Sequence, residues 1–92
     1  INIAGRYAVN FFFDPSGSEY AGISVNASAT TTNIQSLAAA QRRDMAYGGS
    51  SSETISVGLT MYLSVNDVVR PHTNGASVGT ASRCGFSIVK VS

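Results

Sequence analysis

An all-β fold, a single antiparallel β-sandwich domain over residues 1–92, is what this chain predicts, on three observations. Turn-forming residues recur at short intervals, the runs between them alternate with period two, and the longest run fits no helix. In that run, from Glu53 to Val65, the residues Ile55, Val57, Leu59, Met61, Leu63 and Val65 take every second position. Ser56, Gly58, Thr60, Tyr62 and Ser64 fill the gaps. A pleated strand sends alternate side chains to opposite faces, so this segment reads as a strand with one buried face.

The remaining elements follow in chain order. Arg6 to Phe13 places Tyr7, Val9, Phe11 and Phe13 on one face and Ala8, Asn10 and Phe12 on the other, so both faces carry aromatics and both expect cover. Asp14-Pro15-Ser16-Gly17 ends it with turn chemistry: proline presets φ, glycine admits positive φ, and Asp14 can bond the backbone ahead of it. Glu19 to Asn26 alternates through Ala21, Ile23 and Val25, and Thr30 to Asn33 reads as a weaker or edge strand. Leu37 to Met45 has good helix propensity but is short, lacks an apolar stripe and runs into Gly48-Gly49. It reads as strand and loop, with one helical turn as the alternative. Gly48 to Ser52 is a surface loop. After the long strand, Asn66-Asp67 turns, Val68-Val69-Arg70 returns, and Pro71 is expected to end that strand. His72 to Gly79 reads as a polar loop, and Cys84 to Val91 as a last strand with Phe86 and Ile88 on one side and Val89 and Val91 on the other.

Composition removes several functions. A net charge of +1, with basic residues scattered apart from Arg42-Arg43, gives no field to collect nucleic acid. No apolar stretch nears the roughly 20 residues that span a bilayer, and the first residues do not form a signal peptide. One cysteine, Cys84, cannot form an internal disulfide, which fits folding in a reducing cytosol. With 43% hydrophobic and only 12% charged residues, so short a chain is expected to bury part of its surface against another chain. Because Ile1-Asn2-Ile3 already reads as strand approach, the chain is expected to be a piece of a longer protein.

In order and spacing, Gly5-Arg6-Tyr7-Ala8-Val9, Ser56 to Leu63, Asn66-Asp67-Val68-Val69 and Cys84-Gly85-Phe86-Ser87-Ile88 resemble the second half of the C1q/TNF-like jelly roll. The resemblance spans nearly the whole chain, although no single motif is specific. It implies a partial jelly roll that assembles as a homotrimer, with the family's first strands missing or supplied by another polypeptide. Asn66-Asp67 replaces the usual Gly-Asp, which an asparagine in the left-handed region can do. Carboxylates that hold calcium in some members have no counterpart, since Asp14, Glu19, Asp44, Glu53 and Asp67 are dispersed. Richness in Ser, Thr, Ala and Gly and the absence of a collagen repeat look more like the C-terminal knob of a phage tail fibre or tailspike. That resemblance implies a virion component, folded in the host cytoplasm, that trimerises a fibre and meets a cell-surface glycan or protein receptor.

The trimer contact is expected at Phe12, Tyr62, Val89 and Val91, on faces left over once the sandwich is filled. Receptor or glycan contact is expected from two polar loops, at Arg43 and Tyr47 and at His72 and Asn74, because a ring face and planar hydrogen-bonding groups suit sugars. Arg42-Arg43 beside Asp44 suits an anionic sugar or phosphate, or a plain solvated loop. His72 has no Ser or Cys at a motif spacing, so no nucleophilic triad is read. Cys84 reads as a small buried hydrophobe, and Asn26-Ala27-Ser28 as a chance glycosylation match. No spacing calls for a metal or cofactor, and no enzyme activity is expected. Two other functions compete: a monomeric carbohydrate-binding accessory domain, and an intramolecular chaperone that only aligns three chains.

Overall fold

A computed structural model describes residues 1–27, 32–49, 54–74 and 84–92. Two three-stranded antiparallel sheets face each other. The first has the order β4-β1-β6, from β1 (Gly5–Phe13), β4 (Ile55–Leu63) and β6 (Gly85–Lys90). The second has the order β3-β2-β5, from β2 (Glu19–Val25), β3 (Arg42–Gly48) and β5 (Val69–Thr73). Consecutive strands therefore change sheet at every link but β2 to β3. The Asp14 to Gly17 segment carries the chain from one sheet to the other.

Period two builds the core. Val9, Phe11 and Phe13 of β1 lie opposite Leu59, Val57 and Ile55 of β4, and these face Ala21, Ile23 and Val25 of β2. Met61 and Leu63 complete the cluster, and the Phe11 ring lies 5.8 Å from that of Phe13 and 6.3 Å from that of Phe86. Asp44 joins the sheets at one margin: its Oδ1 accepts from the Met45 amide at 2.9 Å and its Oδ2 from the Gly58 amide of β4 at 3.2 Å. The register shifts between Ile23 and Ser24, so Ser24 pairs with Arg42 and Arg43 is the extra residue on β3.

β2 is buried on both faces. Ala27, Ile34 and Leu37 come from the segment between β2 and β3 and form a second apolar cluster with Tyr20 and Met45. That segment turns through a short 3-10 helix at Ile34–Ser36 and lies over the outer side of the second sheet. Gly22 answers to the close approach of β3, where a Cβ would run into the Asp44 carbonyl group.

Some expectations are corrected. Thr32 and Asn33 belong to no strand, and Thr30 and Thr31 lie outside the described residues. The helical turn falls at Ile34–Ser36, before Leu37, and β3 starts at Arg42. Pro71 does not end its strand but sits within β5, opposite Ile23. It is tolerated there because β5 is an edge strand, where one side asks for no backbone donor. His72 and Thr73 are consequently strand residues, not loop residues, while 75–79 of the expected loop lie outside the described residues. The long strand stops at Leu63, so Val65 is exposed in the following turn instead of extending the buried face. Asn66 takes φ 74°, as a left-handed turn asparagine should.

Candidate functional site

The outer face of the β4-β1-β6 sheet carries Arg6, Ala8, Asn10 and Phe12 from β1, Ser56, Gly58, Thr60 and Tyr62 from β4, and Ser87 and Val89 from β6. Phe12 (50% exposed), Tyr62 (62%) and Val89 (58%) thus share one face. Val91 (54%) follows β6, where its amide bonds the Arg6 carbonyl at 2.8 Å. The strand register spreads these apolar groups along the sheet. Tyr62 stands opposite Arg6, about 20 Å along β1 from Phe12 at the usual rise per residue. Phe86 and Ile88, on the inner side of β6, are also partly exposed.

Cover is unequal between the sheets. On the second sheet, the segment after β2 buries Ile34, Leu37 and Ala27 over the outer face, and Tyr47 is the one large exposed hydrophobic there among the described residues. The first sheet's outer face has no such cover from the described residues.

The four expected ligand-facing residues are divided by the fold. Tyr47 is exposed and its ring lies 4.8 Å from that of Tyr20, opposite it on β2. Asn74 directly follows Thr73, the β5 partner of Ala21, so Tyr47 and Asn74 come to the same end of the second sheet. The Asn74 Oδ1 is buried and has no hydrogen-bond partner among the described residues. Arg43 sits at the opposite end of β3, about 13 Å from Tyr47 along the strand. Its Nε donates to the Ala40 carbonyl at 3.0 Å. His72 is buried, so a loop-tip placement is corrected. Tyr20 was not among the expected site residues. Its pairing with Tyr47 depends on the β2–β3 register, across a long connection that no local signal fixes.

His72 does meet a serine. Its Nδ1 is 3.0 Å from the Ser24 Oγ and its Nε2 is 2.6 Å from the Thr32 carbonyl oxygen. A carbonyl only accepts, so Nε2 carries a proton, and in the singly protonated ring Nδ1 then accepts from the Ser24 hydroxyl. Ser24 is fully buried, with no approach for a substrate, so the pair ties β2 and β5 to the covering segment. Cys84 is half-buried and accepts from the Asp14 amide at 3.4 Å. Among the described residues no group of three or more His, Cys, Asp or Glu side chains could hold a metal ion. The Asn26 amide, the glycosylation candidate, is engaged with Asp67. That hydrogen bond first, and the Ser64 amide second, hold the Asp67 carboxyl below the usual carboxylate range.

No family model, curated protein or solved structure matches the chain.

Proposed function

We propose that this chain is a non-catalytic, partial jelly-roll knob that assembles as a homotrimer through the outer face of its β4-β1-β6 sheet, at the end of a fibrous viral attachment protein. The observation that carries this reading is the unequal cover of the two sheets. One outer face is closed by the chain's own Ile34 and Leu37, while the other leaves Phe12, Tyr62 and Val89 exposed together. Exposed apolar groups spread along one uncovered face of a small domain favour a protein partner that covers the whole face. A second copy is the partner the resemblance implies. The repeated change of sheet along the chain supports a jelly-roll-like path. Sedimentation of the chain at micromolar concentration tests the proposal: a trimer mass is expected, and a monomer mass would sink it.

A second reading, a monomeric carbohydrate-binding domain, is favoured by the Tyr20–Tyr47 ring pair beside Asn74. On this reading Tyr47→Ala and Asn74→Ala abolish retention on a glycan array without changing the sedimenting mass. If the knob serves only to align chains, no glycan is retained by any variant.

A further inference from the structure

We propose that Arg42, Arg43 and Arg70 form an oxyanion site for the sulfate or carboxylate groups of an acidic sugar chain. The fold assembles what the sequence scatters. Ser24 lies opposite Arg42 on one side and opposite Arg70 on the other, so the two arginines flank it in one row. Two inter-strand spacings separate them, about 10 Å between backbones, within reach of side chains this long. The register shift after Ile23 brings Arg42 to this serine, where unbroken pairing would have set Arg43 there and passed Arg42 on to Val25, so Arg43 is the extra residue beside the same position. Half of the chain's six lysine and arginine residues thus meet at one end of one sheet.

Each guanidinium is already fixed by one bond to a backbone carbonyl of the covering segment. Arg42 Nη1 donates to Gln35, Arg43 Nε to Ala40 and Arg70 Nη1 to Ala27, all at 3.0 Å. A guanidinium has five N–H donors, so each keeps most of its fork for a ligand while its orientation is set in advance. Among the described residues none of the three makes an ion pair. Two neighbouring carboxylates hydrogen-bond to other donors. Asp44 bonds the Met45 and Gly58 amides, and Asp67, which feels the Arg43 charge, bonds the Asn26 side chain and the Ser64 amide. Cations aligned on neutral carbonyls, and in no ion pair among the described residues, favour an external oxyanion.

The inference does not rest on trimer formation, which sedimentation reads separately. Calorimetric titration of the chain with heparin, a polyuronate, neutral dextran and inorganic phosphate tests it. Heparin and polyuronate are expected to bind and dextran not to. Arg43→Gln, at an exposed position, is expected to weaken heparin binding about tenfold, the usual value of one hydrogen bond to a charged group. Arg43→Lys should fall between, since it keeps the charge and loses the fork. Lys90→Glu, on the first sheet, should bind heparin as the wild type does. Equal binding of heparin and dextran, unchanged affinity in a folded Arg43→Gln, or an equal loss in Lys90→Glu would overturn the site. Inorganic phosphate binding as tightly as heparin would overturn the assignment to a sugar chain.

Discussion

The side-chain amide of Asn26 donates from Nδ2 to Oδ1 of Asp67 at 2.9 Å, and this bond fastens the end of β2 to the turn between β4 and β5. The asparagine works on both sides. Its Oδ1 accepts from the Val68 amide at 2.9 Å, its backbone N–H donates to the Val68 carbonyl at 2.8 Å, and Asp67 Oδ2 accepts from the Ser64 amide at 2.8 Å. Asn26 holds φ 57° to do this, in the left-handed region that asparagine tolerates better than most residues.

Asn26→Ala is therefore expected to lose about 1–3 kcal/mol, combining left-handed strain with lost hydrogen bonds. Asn26→Gly removes the same bonds without the Cβ strain and should lose less. Chemical denaturation of the three proteins checks the order, and an alanine variant as stable as the glycine variant would contradict it.

The same contact sets an acid dependence. A carboxyl held low in the folded state stabilises fully above its unfolded value, and the contribution disappears as pH falls through the folded value. Asp67 is such a group, lowered chiefly by Asn26. Wild type should exceed Asp67→Asn in stability near neutral pH, and the gap should close below the usual carboxylate range. A gap that stayed constant from neutral pH to about pH 2 would assign the stabilisation to something other than the ionised carboxyl.

Leu63 is fully buried, whereas Leu59 is only partly so, although both belong to the inward row of β4. Leu63→Ala should cost about 2–5 kcal/mol, and Leu59→Ala less than that, because a partly exposed site gives up less transfer free energy and leaves a smaller cavity. Equal losses in urea unfolding would mean that Leu59 is as deep as Leu63.

The sequence made β4 and its inward row legible, because alternation over so many positions admits no other period. The Asn66 turn was legible through the one residue type that suits it. The outer cover of β2 was not. Ile34 and Leu37 sit in a segment without periodicity, so nothing local marks them as that cover. Pro71 and His72 were misplaced because a proline reads as a strand end unless the strand is known to be an edge. The site was less legible than the fold. Arg42 and Arg70 meet across Ser24, and Tyr47 meets Tyr20, only once strand order is known, and that order is set by pairings distant in sequence.

Tyr62 is well exposed on the outer face of the first sheet. Tyr62→Arg should leave the stability of an isolated chain within about 0.5 kcal/mol, as surface changes do, while disrupting the proposed trimer by burying a charge once per subunit. Tyr47→Arg, on the other sheet, should leave assembly intact. Sedimentation beside thermal unfolding separates the two effects; a trimer that survives Tyr62→Arg would move the contact to another face.

The last expectation concerns Ser24 and His72, the buried pair beneath the covering segment. With Nε2 donating to the Thr32 carbonyl, the singly protonated ring has an Nδ1 that depends on the Ser24 hydroxyl as donor. Ser24→Ala removes that donor where no water reaches, since Ser24 is fully buried and His72 nearly so. An unsatisfied buried acceptor costs about 1–3 kcal/mol, so the variant should lose that much despite the small change in volume. Ser24→Thr keeps the hydroxyl but adds a methyl to a closed site, and overpacking of that kind costs about 1–3 kcal/mol by another route. The two variants differ in what His72→Phe does to them. Once the ring nitrogen is gone, Ser24→Ala has no acceptor left to strand, and its penalty should shrink, whereas the crowding in Ser24→Thr persists. A double-mutant cycle by urea unfolding measures this, and a coupling near zero between Ser24→Ala and His72→Phe would show that the hydroxyl and the ring act independently.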